Sequence, residues 1–313
     1  MNLENKFLGG IIGSALGDCI GEIAFYTNSE KDLLNIIESK SLITYTDDTA
    51  MAIGMAESII DNKGEINSQA LGEIFRKNYN QEPYRGYAMG PPSIFRQVEE
   101  TGHSYVKIAQ GLFGGTGSYG NGASMRIAPL GLFFHDDPNI YEQAEKSAIV
   151  THAHPLGIDG AAVLARGVGF LVDKNPDEYN IKKKMSNYLK ILRDYAKTNV
   201  FKDTLTKLAN LIEEERNLDY CAYKLGANVL AQESVPFSLC AFLMNPYSFE
   251  KCLLETVLAS SDRDTIGAMV GGLLGSFLGI DAIPKKWINK LENKDYIKEL
   301  SIQLVRLKEI IEF

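Results

Sequence analysis

Apolar residues recur at three- and four-residue spacing along most of the chain, and sustained alternation of apolar and polar positions is scarce. The spacing predicts helices over 6–24, 29–39, 48–62, 67–80, 91–100, 123–134, 140–150, 156–173, 178–197, 203–215, 219–231, 235–244, 247–260, 265–279 and 294–311. Gly, Pro and Asn fall between these segments, and no linker-like or low-complexity stretch divides them. The pattern predicts an all-α chain forming a single domain over 1–313.

Two of these helices carry rows of glycine: Gly9, Gly13, Gly17 and Gly21 in one, Gly267, Gly271, Gly275 and Gly279 in the other. Glycine costs about 1 kcal/mol relative to Ala at an interior helix position, so such rows need a return. Small residues at this spacing occur in membrane helix pairs. Here, however, the second run is apolar only from Ile266 to Ile280, shorter than the ~20 residues a bilayer requires. Asp18 and Glu22 interrupt the first. The rows therefore predict close backbone contact inside a packed core, with no membrane span. Such a contact would draw Asp18 and Glu22 toward Asp262 and Asp264.

The 45% hydrophobic content is enough for a large core, and the net charge of −8 argues against a nucleic-acid backbone as partner. Cys19, Cys221, Cys240 and Cys252 have no metal-ligand spacing, and all but Cys221 lie among apolar residues. Reduced, packed thiols and a cytoplasmic setting are expected. The apolar stretch from Phe7 to Leu16 follows Glu4 and precedes no obvious cleavage site, so it reads as a buried helix.

Candidate chemistry sits in the breaks of the helical pattern. Thr46-Asp47-Asp48-Thr49 and Asp262-Arg263-Asp264-Thr265 each open into a small, apolar helical run. Thr and Asp are good N-caps, and acids favour a helix's positive end. Capping employs one side chain, however, and the remaining carboxylates and hydroxyls are hard oxygen ligands suited to Mg²⁺, Mn²⁺ or Ca²⁺. The stretch from Phe113 to Gly122 has five glycines in ten positions. It is either a surface loop or a run of amides able to cradle phosphate, and it matches neither the P-loop nor the dinucleotide fingerprint. His152 and His154 stand at i, i+2, a pair more often structural than catalytic; as function, a hydrogen bond to a ligand phosphate or the positioning of a neighbouring loop fits them better than a two-His metal site.

Taken in order, these segments resemble the ADP-ribosylhydrolase family, the dinitrogenase-reductase-activating glycohydrolases and their relatives, most closely the serine-directed branch. The resemblance rests on Gly17-Asp18-Cys19-Ile20-Gly21, Tyr45-Thr46-Asp47-Asp48-Thr49, Arg85-Gly86-Tyr87, Gly117 to Arg126, Thr151-His152-Ala153, Glu233-Ser234-Val235-Pro236 and Asp262 to Ile266. It implies a compact, orthogonal all-α bundle with a central cleft for ADP-ribose and two Mg²⁺ ions, Mn²⁺ being a substitute. By resemblance, Thr46, Asp47, Asp48 and Asp264 would hold one ion, and Asp262, Asp264 and Thr265 the other. Gly117, Ser118, Gly120 and Asn121 would bind diphosphate and ribose, Phe113 and Tyr119 ribose or adenine, and His152 would lie beside the phosphates. Asp47 and Asp48 would also belong to the catalytic centre. The implied activity is Mg²⁺-dependent cleavage of ADP-ribose from a serine or arginine side chain or from a small molecule, by a monomer.

Three segments depart from the family pattern. Phe25 stands where the serine-directed branch has its catalytic Glu, which leaves Glu22, one turn earlier, as the candidate acid. Ser260-Ser261 replaces two glycines, and Arg263 separates two expected ligands. His154-Pro155 replaces smaller polar residues. These departures keep open an alternative, a catalytically silent ADP-ribose-binding protein that retains the metal cleft. A prenyl-diphosphate type Asp-Asp-x-x-Asp site would need an acid at Met51.

Overall fold

A computed structural model describes residues 2–311. Among the described residues there is no sheet; the only β pairings are two isolated bridges, Ile43 with Leu291 and Gly120 with Leu230. The chain is all-α, and one continuous apolar cluster runs from Phe7 to Val305.

At its centre the N-terminal helix Leu3–Ala24 lies antiparallel to the helix Arg263–Leu278. Their glycine rows meet backbone to backbone. A Cβ at Gly9, Gly13, Gly17 or Gly21 would run into the carbonyl oxygen of Gly275, Gly271, Gly267 or Arg263, and the clash is reciprocal from Gly267, Gly271 and Gly275. Gly279 lies just past the helix end at φ +81°; the return on the seven glycines inside the helices is a crossing that no side chain could occupy, with both backbones gaining dispersion contact along the rows. Leu3–Ala24 and Pro155–Val172 are long and apolar enough to cross a membrane by length and composition. In the folded chain 89% and 72% of those stretches are buried, so the protein core is what their apolar faces cover.

The antiparallel register sets the last turn of the N-terminal helix beside the first turn of Arg263–Leu278. A third helix, Asp47–Asp61, starts at the same end, and all but a few of its side chains up to Ile59 are buried. Three polar helix ends therefore converge at one place on an otherwise apolar core.

Several predicted boundaries differ from the observed ones. The segment 123–134 is two short helices, Gly122–Met125 and Ala128–Phe133. Pro129 has no N–H to continue the first into the second. The segment 219–231 stops at Leu225, because Gly226 takes φ +85°, and a new helix, Ala231–Met244, starts where the predicted one would end. Tyr105–Gly115 and Lys285–Ile288 are helices that the apolar pattern does not predict. The former is broken at Leu112, Phe113 and Gly114, with Phe113 in the left-handed region at φ +51°. All four cysteines are free and buried, Cys221 included.

Candidate functional site

Asp18 anchors the convergence of helix ends. It is fully buried, and its carboxylate accepts from Thr46 N (3.0 and 3.1 Å), Thr46 Oγ1 (2.8 Å), Thr49 N (3.0 Å) and Thr49 Oγ1 (2.6 Å). One side chain of the N-terminal helix thus fixes the turn that begins Asp47–Asp61. Burial outweighs those hydrogen bonds and, with Asp264 adding to it, raises the Asp18 pKa to about 6.

Thr46 caps the Asp47 helix, its hydroxyl accepting from Asp48 N at 3.4 Å. The same hydroxyl oxygen stands 2.8 Å from Asp18 Oδ1 and 2.9 Å from Asp48 Oδ2. A hydroxyl has one proton and cannot donate to two carboxylates. Either one of the two carboxyls, Asp18 or Asp48, is protonated or a cation takes the place of that proton. The other oxygen, Asp48 Oδ1, is buried without a partner among the described residues. Burial, then the charges of Asp18, Asp264, Asp47 and Asp262, push Asp48 far above the carboxylate range. Burial and the charges of Asp18 and Asp264 raise Asp47 to about 7.

The second cluster does not cap its helix. Asp262 occupies the N-cap position of Arg263–Leu278 but makes no capping bond; its Oδ2 accepts from Asn121 Nδ2 at 2.6 Å. Burial raises Asp262 to about 6, the Asn121 bond opposing and Asp264 adding to the rise. Asp264 Oδ1 accepts from Thr265 N at 2.9 Å, and a Cβ on Gly21 would stand 2.6 Å from Asp264 Cα. Asp18 and Glu22 accordingly lie in the field of Asp264, as the glycine rows predict. Glu22 is half-buried, and burial followed by Asp264 raises its pKa. Phe25, in the expected Glu position, is the C-cap residue of the N-terminal helix and 49% exposed.

Arg263 faces away from the carboxylates beside it. Its guanidinium donates to the carbonyls of Ala24 and Thr27 (2.7 Å for the latter), to Asn28 Oδ1 (2.6 Å) and to Ser260 O (3.2 Å). It closes the C-terminus of the N-terminal helix, where carbonyls lack intrahelical partners and a cation is favoured.

The glycine loop completes the site from the opposite side. His154 N donates to Ser118 O (3.3 Å), Asn121 N to Val229 O (2.9 Å) and Ala231 N to Tyr119 O (3.1 Å). Ser261 N and Asp262 N donate to Ala227 O (2.8 and 3.3 Å), so the segment 227–230 ties the loop to the second acidic cluster. Among the described residues the amides of Ser118 and Tyr119 have no partner, which leaves them as donors for a ligand. Tyr119 is 42% and Phe113 66% exposed, and Tyr119 meets the His154 ring edge-on at 5.2 Å. His152 lies beneath the loop: its Nε2 would be 2.9 Å from a Cβ on Gly122 and 3.6 Å from one on Gly120.

Three supports of the site escape the sequence pattern. Thr49 is there only a neighbour in a motif, 227–230 reads as part of a helix, and Arg85 has no assigned role. Arg85 is buried, pairs with Glu292 (2.7 Å) and Glu82 (2.8 Å), and donates to Tyr45 O (3.1 Å), bracing the residue before Thr46. The Arg85-Gly86-Tyr87 segment is the available signal, without a partner to give it meaning.

Among the described residues no three His, Cys, Asp or Glu side chains already stand as a metal-holding group. The donor chemistry nevertheless fits a divalent cation: hard oxygens only, an unpartnered buried carboxylate oxygen, and a hydroxyl short of one proton.

Comparison with known proteins identifies the family. The family model for ADP-ribosylglycohydrolase matches residues 1–310. The chain is 32% identical to "ADP-ribosylhydrolase ARH3" of Xenopus tropicalis, covering 93% of this chain and 92% of that one. It is 26% identical to the Homo sapiens protein of the same name, over 97% and 93%. It is 25% identical to "ADP-ribosyl-[dinitrogen reductase] glycohydrolase" of Rhodospirillum rubrum, over 94% and 92%. A solved structure named "ADP-ribosylglycohydrolase-related protein complex" shares the fold with a TM-score of 0.74 at 21% identity, covering 98% of this chain and 99% of that one. With acidic helix ends, glycine loop and buried histidine gathered at one pole of an all-α core, and the family match spanning nearly the whole sequence, this chain belongs to the ADP-ribosylglycohydrolase family of glycosyl-bond hydrolases.

Proposed function

We propose that the protein is a Mg²⁺-dependent hydrolase, with Mn²⁺ as a substitute, that cleaves the glycosidic bond between ADP-ribose and a serine or arginine side chain or a small molecule. The observation that carries the metal reading is the Thr46 hydroxyl between two carboxylates, with Asp48 Oδ1 beside it, buried and unpartnered among the described residues. Thr46, Asp47, Asp48 and Asp264 would hold one ion, and Asp262, Asp264 and Thr265 the other. When bound, such ions supply concentrated positive charge beside the distal ribose and its anomeric carbon. Asp18 and Arg85 hold the first cluster in place, Asn121 holds the second, and the Ser118 and Tyr119 amides bind phosphate oxygens. Glu22, its pKa raised by burial and by Asp264, moves the proton between water and the leaving group.

Release of ADP-ribose from serine-, arginine- and O-acyl-linked substrates, with and without Mg²⁺ and with Asp264→Asn in parallel, tests the reading. At least one linkage is expected to turn over with Mg²⁺ alone, and Asp264→Asn to lose that activity while keeping its helical circular dichroism. Undiminished turnover by Asp264→Asn would remove the metal assignment. Tight ADP-ribose binding without turnover of any linkage would make the protein a silent binder.

A further inference from the structure

Arg126 is fully buried, yet its hydrogen-bond partners among the described residues are all neutral: Gly122 O (3.1 Å), Ser147 O (3.2 Å), Thr151 Oγ1 (2.8 Å) and, more loosely, Met51 Sδ (3.7 Å). The Phe75 ring lies 4.6 Å away, and Nε has no partner among the described residues. The Asp47 charge acts on Arg126 only at a distance and burial outweighs it; a buried cation with no ion pair among the described residues is costly, and an apolar side chain of similar volume would fill the same space at less cost. Packing alone does not account for it.

The partners of Arg126 indicate a use. Its Nη2 can only donate, so Thr151 Oγ1 is the acceptor of that bond. The same oxygen stands 2.8 Å from His152 Nδ1, and no other acceptor meets the buried hydroxyl among the described residues. If Nδ1 carried the ring proton, Thr151 would receive two donors and its own proton would be stranded away from water. The satisfied arrangement runs in one direction: Arg126 donates to Thr151, and Thr151 donates to Nδ1. The ring proton then resides on Nε2, which faces Gly120 and Gly122.

We infer that Arg126 and Thr151 are positioning residues that lock His152 as the Nε2–H tautomer, aimed at the glycine loop as a hydrogen-bond donor to a phosphate oxygen of the ligand. The inference rests on the ADP-ribose reading of this site. Burial, with the Arg126 charge adding to it, lowers the His152 pKa to about 3, so the ring stays a neutral donor in physiological buffer. The hydrogen bond from Arg126 to Gly122 O extends the same brace to the end of the loop.

Side-chain ¹⁵N NMR of the metal-free, ligand-free protein reads the tautomer directly, His152→Gln serving to assign the signal. The wild type is expected to show the Nε2–H form. Thr151→Val keeps the shape but removes the relay; it is expected to shift the ring toward Nδ1–H and weaken ADP-ribose binding in calorimetry about tenfold, with Mg²⁺ affinity unchanged. Thr151→Ser is expected to restore both. An Nδ1–H ring in the wild type overturns the inference, and so does a Thr151→Val protein with wild-type tautomer and affinity. Because the tautomer is read without ligand, failure of the wild type to bind ADP-ribose would count against the functional reading and leave the tautomer result to be judged separately.

Discussion

Arg263 stands between two acids and serves neither. Its guanidinium takes carbonyls at the end of the N-terminal helix and a side-chain amide beyond it, a helix-end role that residue order alone could not distinguish from charge compensation. Arg263→Ala is therefore expected to cost about 2 kcal/mol of stability in chemical denaturation. Its effect on Mg²⁺ affinity should stay within about threefold, because the charge is turned away and partly screened. Glu22 is the opposite case, a carboxyl with no hydrogen bond to lose among the described residues and a pKa raised beside Asp264. Glu22→Gln is expected to lower kcat about a hundredfold or more with little change in KM or in Tm. A variant of wild-type kcat would remove Glu22 from the chemistry and leave proton transfer to another group.

At the scale of elements, the glycine rows are legible in the residue order alone, because eight glycines at a four-residue repeat have few physical uses. Gly271→Ala would drive a methyl into the backbone of Gly13, which cannot move aside as a side chain tip can. A loss of about 3 kcal/mol is expected from denaturant unfolding. Gly111→Ala, where a Cβ would meet nothing among the described residues beyond its own stretch of helix, is the control and should be neutral or slightly stabilising. The acidic clusters are legible for the same reason, since capping could not employ every oxygen. What stays hidden are elements whose role depends on a distant partner. The segment 227–230 looks like the end of a helix until Gly226 turns the chain and Ala227 O and Val229 O receive amides from Asp262 and Asn121. Tyr105–Gly115 is hidden by its own glycines, which merge with the loop that follows. Arg85 takes its meaning from partners distant in the chain, Tyr45 before it and Glu292, 207 positions later.

Across the whole molecule, six carboxylates are drawn to one pole of an apolar core, and folding is therefore expected to depend on pH and, on the proposed assignment, on metal. Asp18, Asp47 and Asp262 have folded pKa values raised to about 6, 7 and 6 from an ordinary 3.8. Between those limits the folded chain holds more protons than the unfolded chain, so stability falls as pH rises. In EDTA, Tm is expected to decline from about pH 5 to about pH 7.5, opposite to the trend for carboxylates held by cations. On the proposed metal assignment, Mg²⁺ would take over the role of the protons, and its stabilising effect should grow across the same interval. At a hundredfold excess over Kd the gain is about 2.7 kcal/mol, or about 5 °C for a chain of this size. Thermal denaturation at several pH values, with EDTA and with Mg²⁺, measures both trends. In Asp48→Asn the amide can donate to the Thr46 hydroxyl that is short of a proton, so this variant should be more stable than the wild type in EDTA and gain far less from Mg²⁺. A metal-free wild type whose Tm is flat or rises over that interval would mean that the carboxylates are not held together at this pole without metal.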